Sequence, residues 1–323
     1  MPEPVAVIDC GSNSTRLLIA DGDGRTLVRV MRITRLSSGV DATGHLAPDA
    51  MARTFAVLAE YRALMDRYDV GAGVVVGTSA IRDATNRDEF VDRARRLTNV
   101  EVRVLDGQAE AEFSYEGATA DLATDDRATM IVDVGGGSTE LAVRLDGVLH
   151  AVSMQLGCVR VTERALGREA VTDARRRAAE QMIDDALDAA IKTDPTFASL
   201  PGRVRLVGLA GTVATLVQLD RGLGTYRRDA VHHQLLSRRS VQDWRDRLAV
   251  ESPEQRLAHA GMVLGREDVL VAGLMVLDAV MDRVGAPDML SSESDILDGV
   301  AAWLLESRDT PSTWHDGGVR WQR

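Results

Sequence analysis

Two stretches of this chain are versions of one another. Val5–Arg16 and Thr129–Glu140 align without a gap at a constant shift of 124 residues, and Asp9, Gly11, Ser14, Thr15 and Leu17 fall on Asp133, Gly135, Ser138, Thr139 and Leu141. Each is led in by a β-branched apolar run that reads as a buried strand. A glycine turn follows, then a second alternating run (Arg16–Ala20 or Glu140–Arg144), a second turn (Asp21-Gly22-Asp23-Gly24 or Asp146-Gly147) and a third strand. Helical spacing comes after, in Pro48–Tyr68, Arg87–Leu97 and Asp173–Ile191. A strand meander repeated at that distance implies two α/β domains of one design, and their glycine turns imply a cleft with the domains facing across it. The polar segment Asp121–Arg127 marks the boundary. It sets domains at 1–123 and 124–308, the last helix being free to pack back on the first, with a polar tail at 309–323 containing Trp314 and Trp321.

The turns suggest anion binding. Glycine allows positive φ and close approach of backbone to ligand, so successive amides can converge on an anion. Gly135, Gly136, Gly137, Ser138 and Thr139 form one such loop; Gly11, Ser12, Asn13 and Ser14 form the other, with side-chain donors added. Asp9 and Asp133 end the preceding strands, where a hard cation such as magnesium could bridge carboxylate and phosphate oxygens directly or through water. Glu140 is a lesser candidate for the same metal.

Composition narrows the chemistry. The formal charge of −11 argues against a general nucleic-acid partner, and an anionic substrate would need metal, amides or arginine. Lys192 is the single lysine and sits at an expected helix end, which excludes a P-loop and a pyridoxal Schiff base. Cys10 and Cys158 form no Cys-x-x-Cys pair and read as buried small residues. His150, His232, His233 and His259 show no ligand spacing, and His232-His233 reads as structural. The N-terminus lacks a basic signal-peptide region and no apolar run approaches the ~18–20 residues of a membrane span, so the expectation is a cytoplasmic protein without a membrane partner.

From Val5 to about Leu304 the sequence resembles the exopolyphosphatase and guanosine pentaphosphate phosphohydrolase (Ppx/GppA) family of the actin-like superfamily. The resemblance rests on both glycine motifs and on Thr78-Ser79-Ala80-Ile81-Arg82-Asp83-Ala84-Thr85-Asn86, Leu156-Gly157-Cys158-Val159-Arg160, Gly208-Leu209-Ala210-Gly211-Thr212 and Arg266-Glu267-Asp268-Val269, in that order. It implies two ribonuclease H-like (actin-like) domains, divalent-metal dependence and a homodimer. It also brings forward Glu110. The segment Asp106-Gly107-Gln108-Ala109-Glu110-Ala111 is similar to the family's Ser-Gly-x-Glu-Glu-Ala, whose second glutamate prepares the attacking water. Ala109 replaces the first glutamate and removes a like charge beside the base. By pattern alone Glu110, Glu112 and Glu116 are an acidic helix face. The same resemblance sets Arg82 near substrate phosphates, for which a guanidinium fork is suited, and gives Arg35 a similar place.

The chain departs from the family at Leu297, where an arginine is usual, and is expected to stop short of the appended helical domain of many relatives. The implied activity is release of terminal orthophosphate from inorganic polyphosphate. Guanosine pentaphosphate is the alternative substrate, with Gly208–Thr212 then a nucleoside-contacting turn in place of a plain strand-to-helix turn. A non-catalytic sensor of either anion is a further alternative; a kinase of the same fold is disfavoured by Glu110 in its Gly-x-x-Glu setting. The apolar stretch Val269–Val280 suits a core helix better than a dimer interface.

Overall fold

The computed structural model describes residues 3–307 apart from residue 124. The polar tail at 309–323, with Trp314 and Trp321, lies outside the described residues. The chain divides into two compact units: one runs to Gly117 and takes in the stretch from Ile296, and the other is Ala118–Asp295. The division therefore falls six residues ahead of 123, and the last helix, Ile296–Glu306, counts with the first unit.

The first unit is a five-stranded sheet of order β3-β2-β1-β4-β5. Its strands are β1 (Val5–Cys10), β2 (Ser14–Ala20), β3 (Thr26–Ile33), β4 (Ala72–Gly77) and β5 (Glu101–Val104). β1, β2 and β3 form an antiparallel meander, while β4 and β5 run parallel to β1. Every residue of β1 is buried, as a strand covered on both faces requires. Its alternation divides the core. Ala6, Ile8 and Cys10 pack in the cluster that holds Phe55, Leu58 and Tyr61 of the Pro48–Arg67 helix and Phe90 and Ala94 of the Arg87–Thr98 helix. Val5 and Val7 pack instead with Ala109 and Phe113 of the Gly107–Thr119 helix and with Ile296, Leu297, Val300 and Ala301 of the last helix. Four apolar side chains on one stripe explain why that helix joins this unit, the burial of Ile296, Leu297 and Val300 contributing ~1.5–3 kcal/mol each and Ala301 less. Leu297 is one of them, so the position where relatives carry arginine is here apolar core. Gly299 lets this helix lie directly on its neighbour: a Cβ there would sit 2.1 Å from the Phe113 carbonyl oxygen.

The second unit repeats the plan with one strand added. β6 (Ala128–Val134), β7 (Thr139–Leu145) and β8 (Val148–Met154) form the meander, β9 (Val204–Leu209) and β11 (Asp288–Ser291) run parallel to β6, and β10 (Leu235–Ser237) closes the edge antiparallel to β11. The order β8-β7-β6-β9-β11 matches that of the first sheet, and in each the three-stranded antiparallel meander precedes the parallel crossovers. This is the ribonuclease H-like arrangement, built twice. The Leu270–Arg283 helix is buried along nearly its whole length, as a core helix should be. Lys192 lies in the last turn of the Asp173–Thr193 helix.

Candidate active site

In the first unit the parallel strands end together, because Cys10 of β1 pairs with Gly77 of β4 and Gly77 pairs with Val104 of β5. Three chain segments therefore leave one edge of the sheet: the Gly11–Ser14 turn, Thr78–Arg82, and Leu105–Glu110. In open α/β sheets ligands bind outside that carboxyl edge. Asp106 caps the Gly107–Thr119 helix by accepting the Ala109 amide at 2.8 Å, which fixes Glu110 in the first turn, 8% exposed. Arg82 reaches it. Its Nη1 donates to Glu110 Oε2 at 2.9 Å and to the Leu105 carbonyl at 2.9 Å. The arginine expected to meet phosphate thus also holds the expected base, a pairing across 28 residues that the sequence does not announce.

Asp9 continues the Val5 and Val7 face, on the side of the Glu110 helix. It is not open to a metal on all sides: Arg16, directly opposite in register, donates to its Oδ2 from Nε at 2.9 Å and from Nη2 at 2.7 Å. The turn beyond is closed by the Gly11 amide donating to Ser14 O at 3.0 Å. Its carbonyls face into the protein. Asn13 O accepts the amides of Thr34 and Arg35, and Ser12 O accepts that of Ser37, all within 3.0 Å. Arg35, at φ 50, serves the turn through its backbone.

The second unit reproduces this geometry at the same shift. The Gly135 amide donates to Ser138 O at 3.0 Å, and Asp133 stands opposite Glu140 as Asp9 stands opposite Arg16. Here too the turn is held from behind. Gly135 O accepts the Cys158 amide, Gly136 O those of Val159 and Arg160, and Gly137 O the Arg160 side chain at 2.9 Å. Only glycine fits at 157, since a Cβ would lie 2.2 Å from Gly136 O. With the carbonyl dipoles drawn inward in both turns, the opposite side is the one suited to an anion. Leu156–Arg160 and Arg35 stood out in the sequence as motif residues, but the supporting role of segments 34–37 and 157–160, themselves related by a shift close to 124, was not read there.

One expected ligand is corrected. Thr139 is fully buried and its hydroxyl donates to the Leu156 carbonyl, as its counterpart Thr15 meets Thr34 at 3.0 Å. Strand alternation puts Thr139 on the face of Leu141 and Val143, inside the core. It supports the loop and does not line it. The turn Gly208–Thr212 is a strand-to-helix turn against the protein's own side chains: Ala210 has φ 65, and a Cβ on Gly211 would meet the Arg266 guanidinium at 1.9 Å.

Neither cysteine can serve as a nucleophile. Burial, with Asp9 adding to it, pushes the Cys10 thiol well up, and burial pushes that of Cys158 to about 11 despite the nearby Arg266. What remains at the carboxyl edges is oxygen chemistry: carboxylates, hydroxyls and amides. Asp133 and Glu140 are cross-strand neighbours, 8% and 1% exposed, and Ser153 donates to Glu140 Oε1 at 2.7 Å. Paired hard oxygen donors fit a divalent cation of the magnesium type. Among the described residues no helix is long and apolar enough to cross a membrane.

Duplicated ribonuclease H-like sheets, each with a glycine turn fastened at its parallel edge, define an α/β protein built twice on one plan. The family model described as the Ppx/GppA phosphatase family matches residues 8–307, and the chain belongs to that family. It is 37% identical over 316 residues to exopolyphosphatase 2 of Mycobacterium tuberculosis, covering 93% of this chain and 98% of that protein. A crystal structure of an exopolyphosphatase from Cytophaga hutchinsonii superposes with a TM-score of 0.85 at 26% identity, covering 94% of this chain and 98% of the other. The Aquifex aeolicus Ppx/GppA enzyme superposes with a TM-score of 0.76 at 28% identity, covering 94% and 99%. The duplicated α/β fold expected from the repeat and the family expected from the ordered motifs are borne out.

Proposed function

We propose that this phosphatase is an exopolyphosphatase, releasing orthophosphate from the end of inorganic polyphosphate by attack of water. The observation that carries the reading is the partly buried Arg82–Glu110 pair at the carboxyl edge of the first sheet, in a chain 37% identical to exopolyphosphatase 2. In this reading Glu110 takes a proton from water as the water oxygen bonds to the terminal phosphorus. The bridging P–O bond breaks in line, and the shortened chain keeps the bridging oxygen. Arg82 fixes the carboxylate by donating to Oε2 and brings a guanidinium charge to the edge of the sheet where phosphate oxygens would lie. The Gly11 and Gly135 amides close their own turns, and the amides that follow them in each turn, with the side chains of Ser12, Asn13 and Ser138, are the donors to phosphate oxygens in this reading, so catalysis is mainly positioning and charge stabilisation.

A magnesium or similar divalent ion would be held by Asp133 and Glu140 and would supply neutralising charge to those oxygens. Asp9, the candidate ligand of the first unit, already holds Arg16 on its Oδ2. We also infer a cytoplasmic homodimer without nucleic-acid or membrane partners, the net charge of −11 weighing against nucleic acid. Phosphate release is to be measured on short polyphosphate, long polyphosphate and guanosine pentaphosphate, with and without magnesium. Magnesium-dependent release from polyphosphate is expected to dominate. Faster release from the nucleotide would replace the substrate, and tight binding with no release would replace the enzyme by a sensor.

A further inference from the structure

The chain passes between its units twice, after Gly117 and after Asp295. Inside the second unit, the segment just after the first crossing and the segment just before the second are tied together by one imidazole. His232 Nε2 lies 2.9 Å from Asp121 Oδ2, and His232 Nδ1 accepts the Glu293 amide at 2.9 Å. A backbone N–H can only donate. Nδ1 is therefore bare, the proton sits on Nε2, and the ring is neutral. The tie is reinforced around it: the Ser294 hydroxyl donates to Asp121 Oδ2 at 3.2 Å and accepts from Arg228 at 2.8 Å, and the His233 amide donates to Ser291 O at 2.7 Å.

The same place has the outline of a metal site. Asp121, His232 and His233 each offer a ligand atom within 4.8 Å of the others, which the spacing of the histidines did not suggest. The His232 ring rules against it. Metal-bound histidines donate their second nitrogen to an acceptor, whereas the second nitrogen here is itself the acceptor, so a metal on Nε2 would require an imidazolate or the loss of the Glu293 bond.

We propose that neutral His232 is an acid-sensitive clasp on the two segments that join the units. Protonation of Nδ1 sets N–H against N–H, breaks the bond to Glu293 and frees the Ser292–Asp295 segment, while Asp121 keeps the imidazolium. The groups facing the ring set where this happens. Burial, then the His233 ring stacked 3.7 Å away, and Arg228 hold His232 below the ordinary histidine value, and Asp121 pulls the other way. The Glu293 carboxylate is engaged by the Tyr226 hydroxyl. The clasp is closed at neutral pH and opens on acidification, below the ordinary histidine range.

The test is amide hydrogen exchange of the full-length protein followed by NMR across pH, with nitrogen shifts of the His232 ring reporting its tautomer. Protection of the Glu293 amide, corrected for intrinsic exchange, is expected to fall roughly tenfold on acidification, the effect of one lost hydrogen bond, while Val207 in β9 stays protected. Asp121→Asn removes the charge favouring imidazolium and is expected to move the midpoint to lower pH. His233→Gly removes the stacked ring at a left-handed position and is expected to move it to higher pH. His232→Gln is expected to abolish the pH dependence. A proton on Nδ1 at neutral pH, both midpoints moving the same way, or saturable zinc binding lost in His233→Gly would each overturn the proposal.

Discussion

Arg82 can act in two ways, through Glu110 or directly on phosphate, and a double-mutant cycle separates them. Glu110→Gln keeps the shape and can still accept from Arg82 through its amide oxygen, but it no longer takes a proton. General-base contributions run to about 10²–10⁴, so a loss of about 10³ in kcat, or ~4 kcal/mol of barrier, is expected with KM little changed. Arg82→Met removes a guanidinium whose Nη1 bonds both Glu110 and Leu105 O at 2.9 Å, with the two side chains 18% and 10% exposed. Releasing the carboxylate from that grip by ~1 Å is expected to cost about 10² in kcat. It also leaves a buried charge short of a partner, for ~3–5 kcal/mol of stability. If Arg82 works through Glu110, the double variant is no slower than Glu110→Gln alone within about threefold, a coupling of ~2.7 kcal/mol. Rates would come from phosphate release on short polyphosphate at saturating magnesium, with folding checked by thermal melting of each variant. Multiplicative losses, reaching about 10⁵ together, would refute the positioning role and make Arg82 a phosphate ligand acting on its own.

Three further outcomes follow from close contacts and charge. Gly157→Ala would drive a Cβ to 2.2 Å from Gly136 O and is expected to raise the KM for polyphosphate at least tenfold, with a crystal structure showing the second turn displaced. Glu140→Gln is expected to raise the magnesium concentration for half-maximal activity by roughly 10–100-fold, measured by metal titration, and an unchanged titration would remove Glu140 from the metal set. Gly299→Ala, with its Cβ 2.1 Å from the Phe113 carbonyl, is expected to lower the melting midpoint by several degrees and reduce kcat more than it changes KM, because the strained neighbour is the helix that carries Glu110.

The duplicated meander was legible because strand and turn are local: a run such as Val5–Cys10 and a turn such as Gly135–Ser138 declare themselves within a few residues. The helices Pro48–Arg67 and Asp173–Thr193 were legible for the same reason. The boundary was read late because polarity, not contact, marked Asp121–Arg127; Asp121 already belongs to the second unit through His232 and Ser294. Glu110 was invisible to pattern, since an acidic residue in a first helical turn usually faces water, and its burial depends on Arg82 arriving from another strand end. Thr139 was misread although the signal was present, for the alternation that sends Leu141 and Val143 inward sends Thr139 with them. The exchange of Arg16 for Glu140 at equivalent positions was also in plain view, but its meaning needed the register that sets each opposite an aspartate.

Both glycine turns are fastened by their carbonyls to a segment some twenty residues downstream. Glycine loops are usually thought of as pliant, yet a peptide plane whose oxygen is already bonded cannot flip without breaking that bond. On the proposed function, the mould for the anion is thus cast when the chain folds, and little conformational freedom would be surrendered on binding. Calorimetry of phosphate binding should accordingly show a small ordering entropy and a pronounced sensitivity to ionic strength, the thermodynamic profile of a rigid socket and not of a closing hand.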